Sequence, residues 1–314
     1  MLRRRAPFDL LLLLSLAACG GSPEPAAPDR SLEAQFQKDR TQRQETLLRQ
    51  EDWQNVLMNL DKSLDRYATA LLSAGNDRAD RMVVSLETYL AQETKKHFAD
   101  LVREADRDEF PGNRAIAAAA LGFSQKPEAL DPILNCLNDR DEAVVNNALL
   151  ALGALRDPRT PVARLAEFVE DEKRPVKLRA TASWTLMRLQ LFVHQPDQVP
   201  PVWMRVLQRP VEATDPSILV HALRGLGLFR RKEYAAHIRP YLAHPTPLIR
   251  TAAALATGFC GDQASHKDLL VLLKASETNP NVRLTARKAL QALAGGVDRG
   301  YDVEAWRQVF ARGY

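Results

Sequence analysis

The sequence predicts an all-α fold, a right-handed α-α solenoid of about six helix pairs behind an N-terminal helical cap. Two observations carry this. First, a twelve-residue signature, Val144 to Leu155, returns at Val176 to Met187, Ile218 to Phe229, Ile249 to Cys260 and Val282 to Leu293, with a weaker copy from Asn113. Full copies open on a β-branched residue and carry alanine fifth (Ala148, Ala180, Ala222, Ala253, Ala286) and a small residue eighth (Ala151, Ser183, Gly225, Ala256, Ala289). Second, each copy is followed by a break and a shorter amphipathic segment, so helix pairs recur at intervals of 31, 32, 42, 31 and 33 residues. Such periods mark repeat architectures, in which one pair cannot bury its own apolar face but a stack of pairs builds a continuous core.

Residues 1–18 stand outside the fold. Arg3-Arg4-Arg5 is a basic leader, and Leu10 to Leu16 is an apolar core too short for a membrane-spanning helix. Both features fit a secretion signal. Leu16-Ala17-Ala18-Cys19 resembles the lipobox of bacterial lipoproteins. That resemblance implies cleavage before Cys19 and acylation of its thiol and amine, with palmitate among the chains. Several acyl chains anchor a protein stably where one is marginal. Gly20 in place of aspartate implies, by similarity to Gram-negative lipoproteins, an outer-membrane address facing the periplasm.

Residues 19–30 hold three prolines and no large apolar residue, so they read as a semi-extended tether. Residues 31–110 are the expected cap, because the end of a stack needs a cover for its apolar face. Within it, Ser31 to Ser73 lacks proline and glycine and reads as one long helix. Its apolar stripe strengthens after Leu47, which predicts a second half packed on the repeats, with a coiled-coil or partner-binding arm as the alternative. Asp77 is the expected start of the next helix, ended by Phe110-Pro-Gly-Asn113. The solenoid itself is expected over 111–314. Its shorter helices fall at Glu128 to Leu137, Pro161 to Val169, Pro201 to Leu207, Tyr234 to Leu242, Lys267 to Leu273 and Val303 to Phe310.

The pattern resembles HEAT-type repeats over the C-terminal two-thirds of the chain. The residues that carry the resemblance are the alanines, the Ala-Leu-Gly of 120–122 and 151–153, the second-position bases Arg114, Lys177, Arg250 and Arg283, and the loop acids Asp139, Asp141, Asp171 and Asp215. In that family such acids and bases tie adjacent repeats in a ladder of charges and caps. Val145 and Leu219 depart from it, as does the acid-free His244-Pro-Thr-Pro247.

Charge argues against nucleic acid. The formal charge of +4 falls to about +2 without Arg3, Arg4, Arg5 and Asp9, far from the concentrated basic patch that phosphate binding needs. Cys136 and Cys260 lie in the first and fifth repeats, too far apart for a disulfide, and are expected as buried free thiols. The six histidines show no HExxH or related spacing, and no nucleophile elbow, phosphate loop or dinucleotide fingerprint occurs. No metal, cofactor or catalytic residue is therefore expected. Glu170-Asp171-Glu172 and similar acids sit in interhelical loops, where capping accounts for them.

Function is expected to be binding: a lipid-tethered scaffold or assembly factor for envelope proteins. The alternative is a HEAT-like lyase or small-ligand binder. The long interval contains Phe192 to Pro201, and insertions in solenoids often project on a functional edge. Trp203, Arg205, Gln208 and Arg209 beside it, with Arg230 and Arg231 in the next unit, are the expected partner site. Trp203 is expected exposed, Trp184 buried at the ninth position of its repeat, and Trp306 a cover for the last repeat capped by Asp302.

Overall fold

The computed structural model describes residues 30–72, 77–107, 109–210 and 214–311, all helices and their connections. The expected signal (1–18), Cys19 and nearly all of the tether lie outside the described residues. Two compact units emerge, Met1–Trp53 and Gln54–Tyr314. In the first, the described residues form the start of helix α1 (Arg30–Leu72), exposed from Gln37 to Gln50.

The second unit opens with the rest of α1, where Leu57, Leu60 and Ala70 are buried. Helices α2 (Asp77–Lys96) and α3 (Phe98–Ala105) follow, with hydrogen bonds from His97 N to Glu93 O and Leu101 N to His97 O carrying the chain through the bend between them. The signature helices are α4 (Pro111–Leu121), α6 (Glu142–Leu155), α8 (Val176–Leu189), α10 (Pro216–Leu228), α12 (Pro247–Cys260) and α14 (Pro280–Leu293). They stack in sequence as one layer. A second layer holds α3, α5 (Leu130–Cys136), α7 (Val162–Glu170), α9 (Val199–Gln208), α11 (Ala235–Ile238), α13 (His266–Leu273) and α15 (Val303–Ala311). Of the short helices, most signature helices pack more on the one before them than on the one after, so pairing begins at α3 and not after the first signature. The segment expected as one helix, Tyr234 to Leu242, divides into 3-10 turns at Lys232–Tyr234 and Arg239–Ala243 around α11. Pro240 is the cause: it lacks an amide hydrogen and its ring clashes with the preceding turn.

Helix starts set the register. The N-caps Phe110, Asp141, Asp215, Thr246 and Asn279 each stand three residues before a signature start at 113, 144, 218, 249 and 282. Asp141, Asp215 and Asn279 accept backbone N–H groups of their first turns, and Pro111, Pro216, Pro247 and Pro280 occupy the first helical position, where the missing amide costs nothing. In α8 the N-cap is Pro175, so its signature starts at Leu178, two residues later than the sequence suggests. Burial agrees, because Val176 is 50% exposed whereas Leu178 and Ala182 are buried. The shift brings Arg179 to the second position, alongside Arg114, Arg250 and Arg283.

The alanines at position five, now including Ala117 and Ala182, are fully buried. The tightest approach between neighbours joins position ten of one helix to position eight of the next. A Cβ on Gly122 would lie 2.7 Å from Ala151 Cα, one on Gly227 2.7 Å from Ala256 Cα, and one on Gly258 2.9 Å from Ala289 Cα. These are backbone atoms that cannot swing aside, so glycine is required there.

Arginines at position two tie repeats together. Arg114 grips Asp139 with Nε and Nη2 at 2.7 and 3.0 Å, and Arg250 grips Glu277 at 2.8 and 2.9 Å. Hydrogen bonding to these guanidiniums holds both carboxyls below their usual range. Arg179 and Arg283 use Nε instead on the carbonyls of Val169 and Leu273. At the far end Trp306 is fully buried and donates to Gly300 O at 3.0 Å, and Asp302 accepts from Glu304 N and Ala305 N. Cys136 and Cys260 are buried free thiols, pushed up to about 11 by burial.

Candidate functional site

Six parallel copies of one helix surface arise wherever a repeat leaves the same positions uncovered. Positions four, seven and eleven lie on one helix face, three and four residues apart. In α4 they are Ile116, Ala119 and Phe123; in α6 Asn147, Leu150 and Ala154; in α8 Thr181, Trp184 and Arg188. In α10 they are His221, Arg224 and Leu228; in α12 Ala252, Leu255 and Phe259; in α14 Thr285, Lys288 and Ala292. All but Ala252 are partly or fully exposed, and none is aspartate or glutamate. The signature layer therefore presents a surface of apolar, neutral polar and cationic side chains.

Trp184 sits at its centre. Its ring lies on Gly153, where an added Cβ would come within 2.9 Å, and the Arg188 guanidinium covers it at 4.9 Å. Arg156, which follows α6 in left-handed backbone (φ 53), reaches over Phe192 at 5.9 Å. Burial and then the neighbouring Arg156 make Arg188 less basic than usual, though it stays charged. The Nε atoms of Arg188 and Arg224 are buried without an acceptor among the described residues. Farther along, Arg230 lies 5.6 Å over Phe259. At the other end Tyr67 of α1 meets Phe123 edge-on at 5.1 Å and donates to Glu87 of α2 at 2.8 Å. Burial, then the bond to Glu87, pushes the Tyr67 phenol up to about 12.

His221 Nδ1 lies 2.8 Å from Ser183 Oγ, and that hydroxyl also bonds Ala180 O at 2.8 Å. One hydroxyl proton cannot serve both, and the carbonyl can only accept. His221 therefore donates from Nδ1, leaving Nε2 as an acceptor. Burial, then Arg224, pushes the imidazole down to about 4, so it is neutral at physiological pH. Ser183 is fully buried, which closes this serine–histidine pair to a substrate.

The residues expected to form a partner site do not come together. Trp203 is fully buried, not exposed, and its Nε1 donates to Gln190 Oε1 at 2.8 Å. Arg205 and Arg209 tie α9 to the end of α7, bonding the Glu170 carboxylate and carbonyl. Gln208 is exposed on the second layer. Arg231 pairs with Asp197 just before α9, about 15 Å of helix away from that end. Arg230 turns to the signature layer. Trp184, expected buried, is partly exposed. The insertion folds back, with His194 N bonding Pro158 O at 2.9 Å and Val193 buried, while Leu191 and Phe192 are exposed.

A family profile described as HEAT repeats matches residues 98–185 and 200–294. The chain belongs to the HEAT-repeat family. Proteins of this family bind other proteins. The matched region starts at α3, as the pairing does, and skips the end of α8 and the insertion. Among solved structures, the chain is similar to the CpcE–CpcF complex of phycocyanin lyase from Nostoc sp., with 22% identity, 62% of this chain and 76% of that chain covered, and a TM-score of 0.46. It is also similar to a designed armadillo repeat protein, with 14% identity, 62% and 98% covered, and a TM-score of 0.46. Human deoxyhypusine hydroxylase aligns at 20% identity over 82% and 92% with a TM-score of 0.28. A search by sequence among curated proteins returns no match.

Proposed function

We propose that the protein is a lipid-anchored interaction scaffold or assembly factor of the bacterial cell envelope, holding a partner on the exposed face of its signature helices. The observation that carries this is the carboxylate-free surface along α4 to α14, with Trp184, Leu255, Phe259 and Arg188 on one side of the stack. Aromatic side chains and arginine are the groups enriched where proteins meet, and a rigid backing limits the entropy lost on binding. Binding supplies the function, with no chemistry by the protein itself. The lipobox-like Leu16 to Cys19 supports anchoring by acyl chains on Cys19, with palmitate among them, and a position at the outer membrane facing the periplasm where there are two membranes.

Cross-linking in intact cells followed by mass spectrometry tests the reading, combined with labelled palmitate fed to cells making the wild type or Cys19→Ser. The expected result is an envelope protein cross-linked to the signature layer and label lost in the variant. A soluble metabolite bound in place of any protein would contradict the scaffold assignment, and label retained in Cys19→Ser would contradict the anchor.

A further inference from the structure

The exposed face carries a sign as well as a shape. Arg188, Arg224 and Lys288 stand on it, Arg156 and Arg230 flank it, and no acidic residue shares its positions. Elsewhere many arginines pair with carboxylates, as at Arg114–Asp139, Arg205–Glu170, Arg239–Asp268, Arg250–Glu277 and Arg287–Asp298. Arg156, Arg188 and Arg224 make no such pair among the described residues. The guanidiniums of Arg188 and Arg224, partly withdrawn from water and without a carboxylate of their own, favour an acceptor that brings negative charge. The protein's own Glu87 already acts on Arg188 in this sense, through its field and without contact.

We propose that the face binds an acidic, amphipathic segment of a partner protein, whose carboxylates pair with Arg188 and Arg224 while its apolar side chains seat on Leu150, Trp184, Leu255 and Phe259. This rests on the reading of the face as the binding surface and adds the chemistry of what binds. A carboxylate meets a guanidinium through two parallel hydrogen bonds, which fixes register along the stack, while the unpaired cations repel basic segments. A second copy of the chain is a poor occupant. Its exposed stretch of α1, Gln37 to Gln50, sets Lys38, Arg40, Arg43 and Arg49 against only Asp39 and Glu45, so it brings the wrong charge.

The probe is a fluorescein-labelled peptide of repeating Glu-Glu-Leu-Leu, compared with one of repeating Lys-Lys-Leu-Leu, in fluorescence anisotropy titrations with the full chain. The acidic peptide is expected to bind and the basic one not, with affinity falling between about 50 and about 300 mM NaCl as the charges are screened. Arg188→Gln/Arg224→Gln is expected to weaken binding about tenfold or more at an unchanged melting midpoint, while Arg205→Gln on the second layer leaves it unchanged. If the double variant does not fold, the salt dependence and the two-peptide comparison of the wild type still decide. Equal affinity for the two peptides, or an affinity indifferent to salt, overturns the proposal. So does self-association in light scattering that the double variant abolishes, or binding to phosphatidylglycerol vesicles in place of the peptide. Photo-cross-linking to a partner from Leu150 with no preference for the acidic peptide would overturn the charge inference and leave the scaffold reading standing. Loss of both would remove the scaffold reading too.

Discussion

The indole nitrogen of Trp203 donates a 2.8 Å hydrogen bond to Oε1 of Gln190, with both side chains fully buried. Gln190 passes the link on, its amide donating to Gly225 O at 3.0 Å, so α8, α9 and α10 meet at one buried polar chain. Gly225 makes room for it, since a Cβ there would stand 2.4 Å from the Trp203 nitrogen. Trp203→Phe keeps most of the volume and strands the Gln190 oxygen, at an expected cost of about 1–3 kcal/mol, and Trp203→Ala costs about 3–5 kcal/mol. Urea denaturation checks this. An exposed tryptophan would give no change in either variant.

Gly227→Ala is expected to destabilise the stack by about 1–3 kcal/mol, because the added methyl meets the backbone of Ala256 and the two helices must part. Ala148→Leu and Ala253→Leu should cost at least as much at their fully buried sites. Melting curves decide, and a midpoint unmoved in all three would remove the seam.

Arg250→Ala leaves Glu277, only 8% exposed, without its counter-charge. The expected loss is about 3–5 kcal/mol, against about 0–1 kcal/mol for Arg307→Ala, whose pair with Glu304 is open to solvent. Glu277 has a lowered pKa in the folded state, so its contribution is present above the unfolded carboxyl value and is lost as pH falls through the folded one. The penalty of Arg250→Ala should accordingly shrink in acid, measured as the difference in unfolding free energy at neutral and acid pH.

The repeat was legible in the sequence because burial forces alanine, glycine and leucine into fixed positions, and the caps at Asp141, Asp215 and Asn279 are chemically explicit. The register of one copy was not. Val176 fits a β-branched first position, yet Pro175 starts the helix immediately before it and moves every later residue by two. That slip explains the tryptophans: at the ninth position Trp184 would be core, whereas from Leu178 it is the seventh and faces outward. Trp203 was misplaced for another reason. Proximity to a proline-rich insertion says nothing of direction, and the insertion folds back through His194 and Val193. Absence of acids could not have marked the exposed face in the sequence, because none of the six copies carries one at any of its twelve positions; burial alone separates the faces.

His221 supplies a pH signature. Its folded pKa of about 4 lies below the ordinary histidine value, so the unfolded chain takes up the proton first. Stability from this group is complete above pH about 6.5 and is lost as pH falls toward about 4, on the order of 3 kcal/mol at the limit. Unfolding measured across that window should show the loss in the wild type and not in His221→Gln. An identical slope in both would contradict the buried neutral imidazole.

Cys136 and Cys260, their thiols held protonated by burial, should resist a thiol reagent in the native protein and react fully in denaturant. A denatured chain with neither thiol free would mean a disulfide that this stack does not allow.

Site-specific photo-cross-linking in living cells tests the central claim most directly, with a photoreactive residue placed at Leu150 or Phe259 on the signature layer and at Val271, exposed on the second layer. The account predicts one discrete protein adduct from both signature positions and none from Val271. An adduct from Val271 alone would contradict it.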